Sequence, residues 1–131
     1  MRASLTGRSI LITDDDPDGV ELLAAVLRLE GAEVRTARCA AEALEQLDGT
    51  WQPDALLLDL GMPDVDGHAL LRTIRERPAL RAVPAVAVTA YAFKRDAERS
   101  AETGFARHVT KPYEIDDLVK TVADLIATRA R

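Results

Sequence analysis

The 131-residue sequence predicts an α/β fold in which five parallel strands are covered on both faces by five helices. Three observations lead to this class. Short apolar runs alternate five times with longer amphipathic segments. The runs "ALLL" and "AVAV" carry no alternating polar residues, which is typical of strands buried on both faces. The composition, 47% hydrophobic and 30% charged, is that of a globular protein with a real core.

Five segments have the features of strands, because they are short, often β-branched and bounded by Gly, Pro or Asp. In chain order they are "SILIT" (9–13), "AEVRTA" (32–37), "DALLLDL" (54–60), "VPAVAVTA" (83–90) and "FARHVT" (105–110).

Five helices are predicted between and after these strands. The first carries apolar residues at i, i+3, i+4 spacing from Val20, with Asp16 as N-cap, Pro17 in the first turn and Gly31 as the stop. The others span 40–47, 66–77, about 94–103 and about 115–129. The last of them has the clearest helical repeat of apolar residues, with acidic residues early and an arginine late.

Right-handed crossovers allow few arrangements of five parallel strands, and the flavodoxin-like order 2-1-3-4-5 is the common one. In such a doubly wound sheet, ligands lie beyond the carboxyl ends of the strands, where the order reverses between strands one and three. Five polar side chains are predicted at that edge. They are Asp14 and Asp15 after strand one, Asp59 near the end of strand three, Thr89 at the end of strand four and Lys111 after strand five.

Three carboxylates at one sheet edge would repel one another, so a compensating cation is expected. Mg²⁺ is the natural candidate, because it prefers oxygen ligands in octahedral geometry and keeps several waters. A lysine and a threonine hydroxyl opposite the metal could hold phosphoryl oxygens. Taken singly, most of these residues are better explained as turn or surface residues. Asp59 is the exception, since a carboxylate directly after "LLL" must be solvated or paired.

Four stretches, "ILITDDDPD", "DALLLDLGMPDVDG", "VPAVAVTAYA" and "GFARHVTKP", resemble in order and spacing the receiver domain of two-component response regulators of the chemotaxis-regulator type. The resemblance covers essentially the whole chain. It implies a phosphoacceptor signalling domain that assists its own phosphorylation and dephosphorylation, not a classical enzyme. It also implies a phosphoryl donor that is a histidine kinase or a histidine phosphotransfer protein.

The same resemblance implies a role for each residue at the predicted edge. Asp59 would be the phosphoacceptor, and Mg²⁺ would be the cofactor. The implied metal ligands are Asp15 and Asp59 directly, Asp14 through water and Gly61 through its carbonyl oxygen. Thr89 and Lys111 are implied to contact the phosphoryl group. The peptide bond between Lys111 and Pro112 is expected to be cis, as in the family.

Three positions could modulate this chemistry. Gly61 is small where the family often has a larger residue, and Tyr91 is large enough to overhang the phosphoryl group; together they could set its lifetime. His108 stands where the family commonly has Tyr or Phe with a rotamer that follows phosphorylation. It could swing inward or be an inert edge-strand residue, and the inert interpretation is favoured here.

Partners follow from the resemblance only in outline. Phosphorylation would shift an equilibrium in the face built by helix four, strand five and helix five, where an unidentified downstream protein or a second copy would bind. The expected organisation is a single receiver domain over residues 1–131, with no output domain.

Charge and composition argue against several other classes. The net charge is −5 and the 17 Lys and Arg residues are spread out, so no nucleic-acid surface is predicted. No segment has the length of a membrane span or the apolar region of a signal peptide. The single cysteine, Cys39, cannot form an internal disulfide, which favours a cytoplasmic location.

Three rival functions fit the sequence less well. Asp14, Asp16, Asp18 and Gly19 fit the start of an EF-hand loop, but the position of its final glutamate is Ala25. A haloacid dehalogenase-type phosphohydrolase needs a second acid two residues after Asp59, where this chain has glycine. An idle scaffold is disfavoured by the intact set of acids, threonine and lysine.

Overall fold

A computed structural model of the chain describes residues 5–62, 65–90 and 94–129, without the side chains of 94–97. Strands and helices alternate throughout, which confirms the predicted class. In chain order they are β1 (Ser9–Thr13), α1 (Pro17–Leu29), β2 (Glu33–Ala37), α2 (Ala40–Leu47), β3 (Ala55–Leu58), α3 (Gly67–Arg75), β4 (Ala85–Thr89), α4 (Lys94–Thr103), β5 (Arg107–Thr110) and α5 (Ile115–Arg129). A short 3-10 helix, Pro78–Leu80, follows α3.

All described strand pairs are parallel, and the sheet order is β2-β1-β3-β4-β5, as predicted. Thr13 pairs with Leu58 of β3, and Thr89 pairs with Thr110 of β5. The carboxyl ends of β1, β3, β4 and β5 therefore meet at one edge of the sheet, and the residues that follow them are brought together.

Four predicted strands and the third predicted helix are longer than the elements in the structure. The strand predicted at 54–60 is Ala55–Leu58, and those at 32–37, 83–90 and 105–110 are also shorter at one or both ends. The predicted strands were too long because apolar residues indicate burial and not strand pairing. Leu60, for example, is 3% exposed although it lies in a turn after β3. The third helix begins at Gly67 and ends at Arg75, before Pro78, which starts the 3-10 turn.

The sheet buries both of its faces. Alternate side chains of β1 show this: Ile10 and Ile12 lie in the core under α1 and α5, whereas Leu11 lies in the core under α2 and α3. Each is at most 2% exposed. Burial of each such side chain contributes about 1.5–3 kcal/mol, so the sheet is a firm platform for the residues at its edge.

A buried histidine of α3, His68, is hydrogen-bonded to the end of α4. His68 is 4% exposed, and its Nδ1 lies 2.9 Å from Thr103 Oγ1 at the end of α4. The Thr103 hydroxyl donates its only proton to the carbonyl of Arg99, at 2.9 Å. With the hydroxyl proton directed at Arg99, the Thr103 oxygen can accept a hydrogen bond from an N–H at Nδ1 of His68. The edge of the ring also packs against Phe105, with centroids 5.9 Å apart.

This environment makes the stability of the fold dependent on pH. Burial lowers the pKa of His68 below 6.5, and the charge of Arg99 lowers it further. The unfolded chain binds a proton near pH 6.5 while the folded chain still holds the ring neutral. The free energy of unfolding should therefore fall as the pH drops below about 7, by at most about 1.4 kcal/mol per pH unit for this group.

His68→Asn tests this expectation, because the amide keeps a donor toward Thr103 and does not titrate. Urea unfolding of both proteins at pH values between about 8 and 5.5 should give a shallower pH dependence for the variant. The difference in the free energy of unfolding between the two proteins at about pH 8, where both side chains are neutral, is the control. Equal pH dependence in the two proteins would show that another group is responsible.

Candidate functional site

Asp14 is fixed by its backbone and by two contacts of its carboxylate. Its N–H donates to the carbonyl of Ala37 at 3.0 Å, which extends the β1–β2 pairing by one residue. Oδ1 accepts the N–H of Asp16 at 3.0 Å, and Oδ2 accepts from Lys111 Nζ at 2.7 Å. With 9% of its surface exposed, the carboxylate has little freedom to turn away.

Asp59 is held in the same way on the neighbouring strand. Its N–H donates to the carbonyl of Thr13 at 2.9 Å. Oδ1 accepts the N–H of Gly61 at 2.9 Å, and Oδ2 lies 3.4 Å from Lys111 Nζ. The residue is 8% exposed, so its carboxylate is buried but remains at the open edge of the sheet.

Lys111 reaches this site from the end of β5. Its N–H donates to the carbonyl of Thr89 at 2.8 Å, which ties it to the end of β4. The ammonium then lies between the carboxylates of Asp14 and Asp59 and is closer to Asp14. Thr89 itself is 1% exposed. The bond between Lys111 and Pro112 is cis, as expected.

Three carboxylates can bind one cation here. Asp14, Asp15 and Asp59 each offer an oxygen, and these oxygens lie within 4.8 Å of one another. Asp15 is exposed, so one side of the cluster faces water. Hard oxygen donors with room for bound water fit Mg²⁺. The single ammonium of Lys111 offsets one of the three negative charges, and a divalent cation would offset the other two.

The pKa shifts report the same imbalance of charge. Burial raises the pKa of Asp59, and the nearby charge of Asp14 raises it further, against the lowering effects of the Gly61 N–H and of Lys111. For Lys111, burial by itself would lower the pKa, but Asp14 and Asp59 more than offset it and the net shift is upward. The site thus disfavours an ionised Asp59 and favours added positive charge.

One residue of this neighbourhood was not anticipated. Gly67, at the start of α3, lies so close to the chain after β3 that a Cβ would come within 2.6 Å of the Asp59 carbonyl oxygen. Asp66 caps the helix there, its Oδ1 accepting the N–H of Ala69 at 2.9 Å. The Asp66-Gly67 pair at the start of the third helix is the sequence signal from which this close approach could have been predicted, because glycine allows two backbone segments to come together.

The other predicted residues are placed as follows. Gly61 is exposed and points its N–H at Asp59; Tyr91 lies outside the described residues. Nδ1 of His108 lies 3.0 Å from Ser100 Oγ of α4, a contact that the inert interpretation did not anticipate.

A cavity of about 390 Å³ opens beside the acidic cluster. Leu22, Val20 and Ile115 line it on the apolar side, and Asp59 and Lys111 line its polar end. The cavity therefore provides a path from solvent to the buried carboxylate.

The chain is similar in sequence to known signalling proteins. The family model described as the response regulator receiver domain matches residues 10–123. An uncharacterised 14.6 kDa protein from the sodA1 3′ region of Leptolyngbya boryana is 40% identical over 119 residues, which is 91% of this chain and 90% of that protein. The polar-differentiation response regulator DivK of Brucella ovis is 30% identical over 115 residues, 88% of this chain and 93% of DivK.

A solved structure agrees with these sequence matches. The receiver domain of a signal transduction histidine kinase from Syntrophus aciditrophicus has a TM-score of 0.83 and 33% identity, and the match covers 93% of this chain and 92% of that one.

Among the helices described here, none has both the length and the apolar composition needed to cross a bilayer.

The excess of negative charge at the site should lower the free energy of unfolding, and this effect can be measured with a charge-removing variant. Without divalent cations, Asp59→Asn should raise the free energy of unfolding by on the order of 1 kcal/mol, because it removes a buried charge beside Asp14. Added Mg²⁺ should stabilise the wild type and narrow this difference. Urea unfolding in EDTA and in Mg²⁺ measures both effects.

Asp18→Asn is the matched control, since Asp18 is an exposed acid of the first turn of α1 outside the cluster. It should leave the response to Mg²⁺ as in the wild type. A loss of stability for Asp59→Asn in EDTA would contradict the expected repulsion.

Proposed function

This chain belongs to the response regulator receiver domain family, and we propose that it is a phosphoacceptor of a two-component phosphorelay in which Asp59 receives the phosphoryl group. The observation that carries this proposal is the surroundings of Asp59. A buried carboxylate lies beside an ammonium and two further carboxylates, at the end of a cavity that leads to solvent. That arrangement provides a nucleophile, a cation site and a point of access.

The reaction is a transfer from the imidazole of a phosphohistidine. A carboxylate oxygen of Asp59 attacks phosphorus, a P–O bond forms, and the P–N bond breaks with the electron pair leaving on the imidazole nitrogen. Such transfers depend chiefly on positioning and charge neutralisation. The N–H of Gly61 holds one Asp59 oxygen in place, which leaves the carboxylate few orientations.

Lys111 and Thr89 are proposed to hold the transferred group. Lys111 Nζ is 2.7 Å from Asp14 and 3.4 Å from Asp59, so a small turn of its side chain brings it to phosphoryl oxygens on Asp59. Thr89 is the last residue of β4, and its carbonyl accepts a hydrogen bond from the N–H of Lys111. Both residues can therefore act on the same group from neighbouring strands.

Mg²⁺ would supply the positive charge that neutralises the phosphoryl oxygens. The residues proposed to hold it are Asp15 and Asp59 directly, Asp14 through water and Gly61 through its carbonyl oxygen. The mutual distances of the three carboxylates support this assignment. The exposed position of Asp15 leaves space for the waters that Mg²⁺ retains.

The proposed partners are a histidine kinase or histidine phosphotransfer protein as donor and a downstream protein as receiver of the signal. Receiver domains are signalling domains, and we propose that phosphorylation changes the face formed by α4, β5 and α5. A second copy of the chain is the other candidate for this face.

Phosphorylation of the purified chain tests the proposal. Incubation with acetyl phosphate and Mg²⁺ should add the mass of one phosphoryl group, measured by intact-mass spectrometry. Asp59→Asn should gain none, because it lacks the nucleophile. Asp54→Asn, an acid before β3 at the other edge of the sheet, is the control and should be phosphorylated like the wild type. A wild type without added mass would overturn the proposed function.

Tyr91 is proposed to shield the phosphoryl group from water. Tyr91→Ala should then shorten the lifetime of phosphorylated Asp59, followed as loss of the added mass after acetyl phosphate is removed. Tyr91→Phe keeps the ring and should retain most of the lifetime. Equal decay in the alanine variant and the wild type would refute the shielding role.

A further inference from the structure

The cavity beside Asp59 is larger and more apolar than a passage to a carboxylate requires. It lies between α1 and the segment that follows β5, and its volume is about 390 Å³. The sheet forms its floor, where Ile12, Leu57 and Val88 are each at most 4% exposed. Concave, mostly apolar spaces of this size are typical of sites that bind small organic molecules.

Apolar side chains also form the two walls of the cavity. Val20 and Leu23 of α1 line one wall, and Pro112 and Ile115 line the other. Leu22 lies at the rim, where 56% of its surface is exposed to water. An apolar group placed in the cavity would cover this surface, which is favourable in proportion to the area removed from water.

The polar end of the cavity carries more negative than positive charge. The carboxylates of Asp14, Asp16 and Asp59 line it together with the ammonium of Lys111. Lys111 is engaged by Asp14 at 2.7 Å and by Asp59 at 3.4 Å. The charges at this end therefore attract a cation more strongly than an anion.

Asp16 is the acid at this end that the fold does not use. It occupies the N-cap of α1, but its side chain makes no capping hydrogen bond, and it has no ion pair among the described side chains. Its Oδ2 lies over Gly19, where a Cβ would come within 2.7 Å of it. Both residues line the cavity, so the glycine leaves room for an unbonded carboxylate at the cavity wall.

Tyr113 adds an aromatic ring to the same end. It is half-buried and lines the cavity. Burial raises the pKa of its hydroxyl, and the charges of Asp14 and Asp16 raise it further against the opposing charge of Lys111. The phenol therefore stays protonated at neutral pH. An aromatic ring close to carboxylates is a favourable neighbour for an organic cation.

We propose that this cavity binds a small amphipathic cation, a primary amine on an apolar body, with its ammonium at Asp16 and its apolar part between Val20 and Ile115. The inference goes beyond the proposed function and does not depend on it, because binding requires no phosphoryl donor.

Three probes of similar shape test the preference for a cation. Phenethylamine carries an ammonium, phenethyl alcohol a hydroxyl and hydrocinnamate a carboxylate on the same aromatic ring. Titrations in EDTA, followed in amide NMR spectra, give the Kd of each. The amine should bind with a Kd on the order of 1 mM, as expected for so few atoms. It should bind about fivefold more tightly than the alcohol, and the carboxylate should bind most weakly.

Asp16→Asn should weaken binding of the amine about fivefold and leave that of the alcohol unchanged, while asparagine preserves the N-cap. Asp15→Asn is the matched control, since Asp15 belongs to the acidic cluster but does not line the cavity. It should leave the affinity for the amine nearly unchanged. Leu22→Ala should weaken the amine and the alcohol alike, because both lose the same apolar contact.

Three results would overturn the inference. The first is an amine that causes no saturable shifts at residues of the cavity, and the second is an alcohol that binds as tightly as the amine. The third is an equal loss of affinity in Asp15→Asn and Asp16→Asn, which would make the amine a counter-ion of the acidic cluster. The gain of a phosphoryl group by Asp59 is measured separately, so failure of the proposed function is distinguished from failure of this site.

Discussion

The ion pair between Lys111 and Asp14 is the interaction on which the site depends. At 2.7 Å it brings the end of β5 to the end of β1, across the two strands that lie between them in the sheet. It also holds an ammonium 3.4 Å from Asp59, where burial and a second carboxylate disfavour ionisation. Among the side chains that the structure describes, Lys111 is the cation paired with Asp14 and Asp59, and without it the repulsion among the three carboxylates would be larger.

The fold supports this interaction by fixing its backbone. The core on each face of the sheet leaves the strands little freedom, and three residues of the site donate a backbone hydrogen bond to a neighbouring strand. Asp14 donates to Ala37, Asp59 to Thr13 and Lys111 to Thr89. A ligand at this site therefore meets side chains that the sheet already holds at defined positions.

The sequence predicted the topology and the meeting of the three acids with Lys111, because parallel order forces the ends of the strands to one edge. It did not predict that Lys111 prefers Asp14 to Asp59, since this depends on side-chain rotamers and local charge. The His68–Thr103 and His108–Ser100 pairs were also missed. They depend on how α4 is rotated about its axis, and a helix with few apolar residues gives a weak signal of that rotation.

The backbone bonds of Asp14 and Asp59 have a consequence for metal affinity. Adjacent strands lie about 4.8 Å apart, and the carboxylates that follow β1 and β3 inherit this spacing from the sheet. Little conformational entropy is then lost when an ion binds, because the ligands are already ordered. Affinity at this edge should be governed by dehydration of the ion and by the charge of the cluster, so acid-to-amide changes would weaken binding far more than changes that loosen nearby loops.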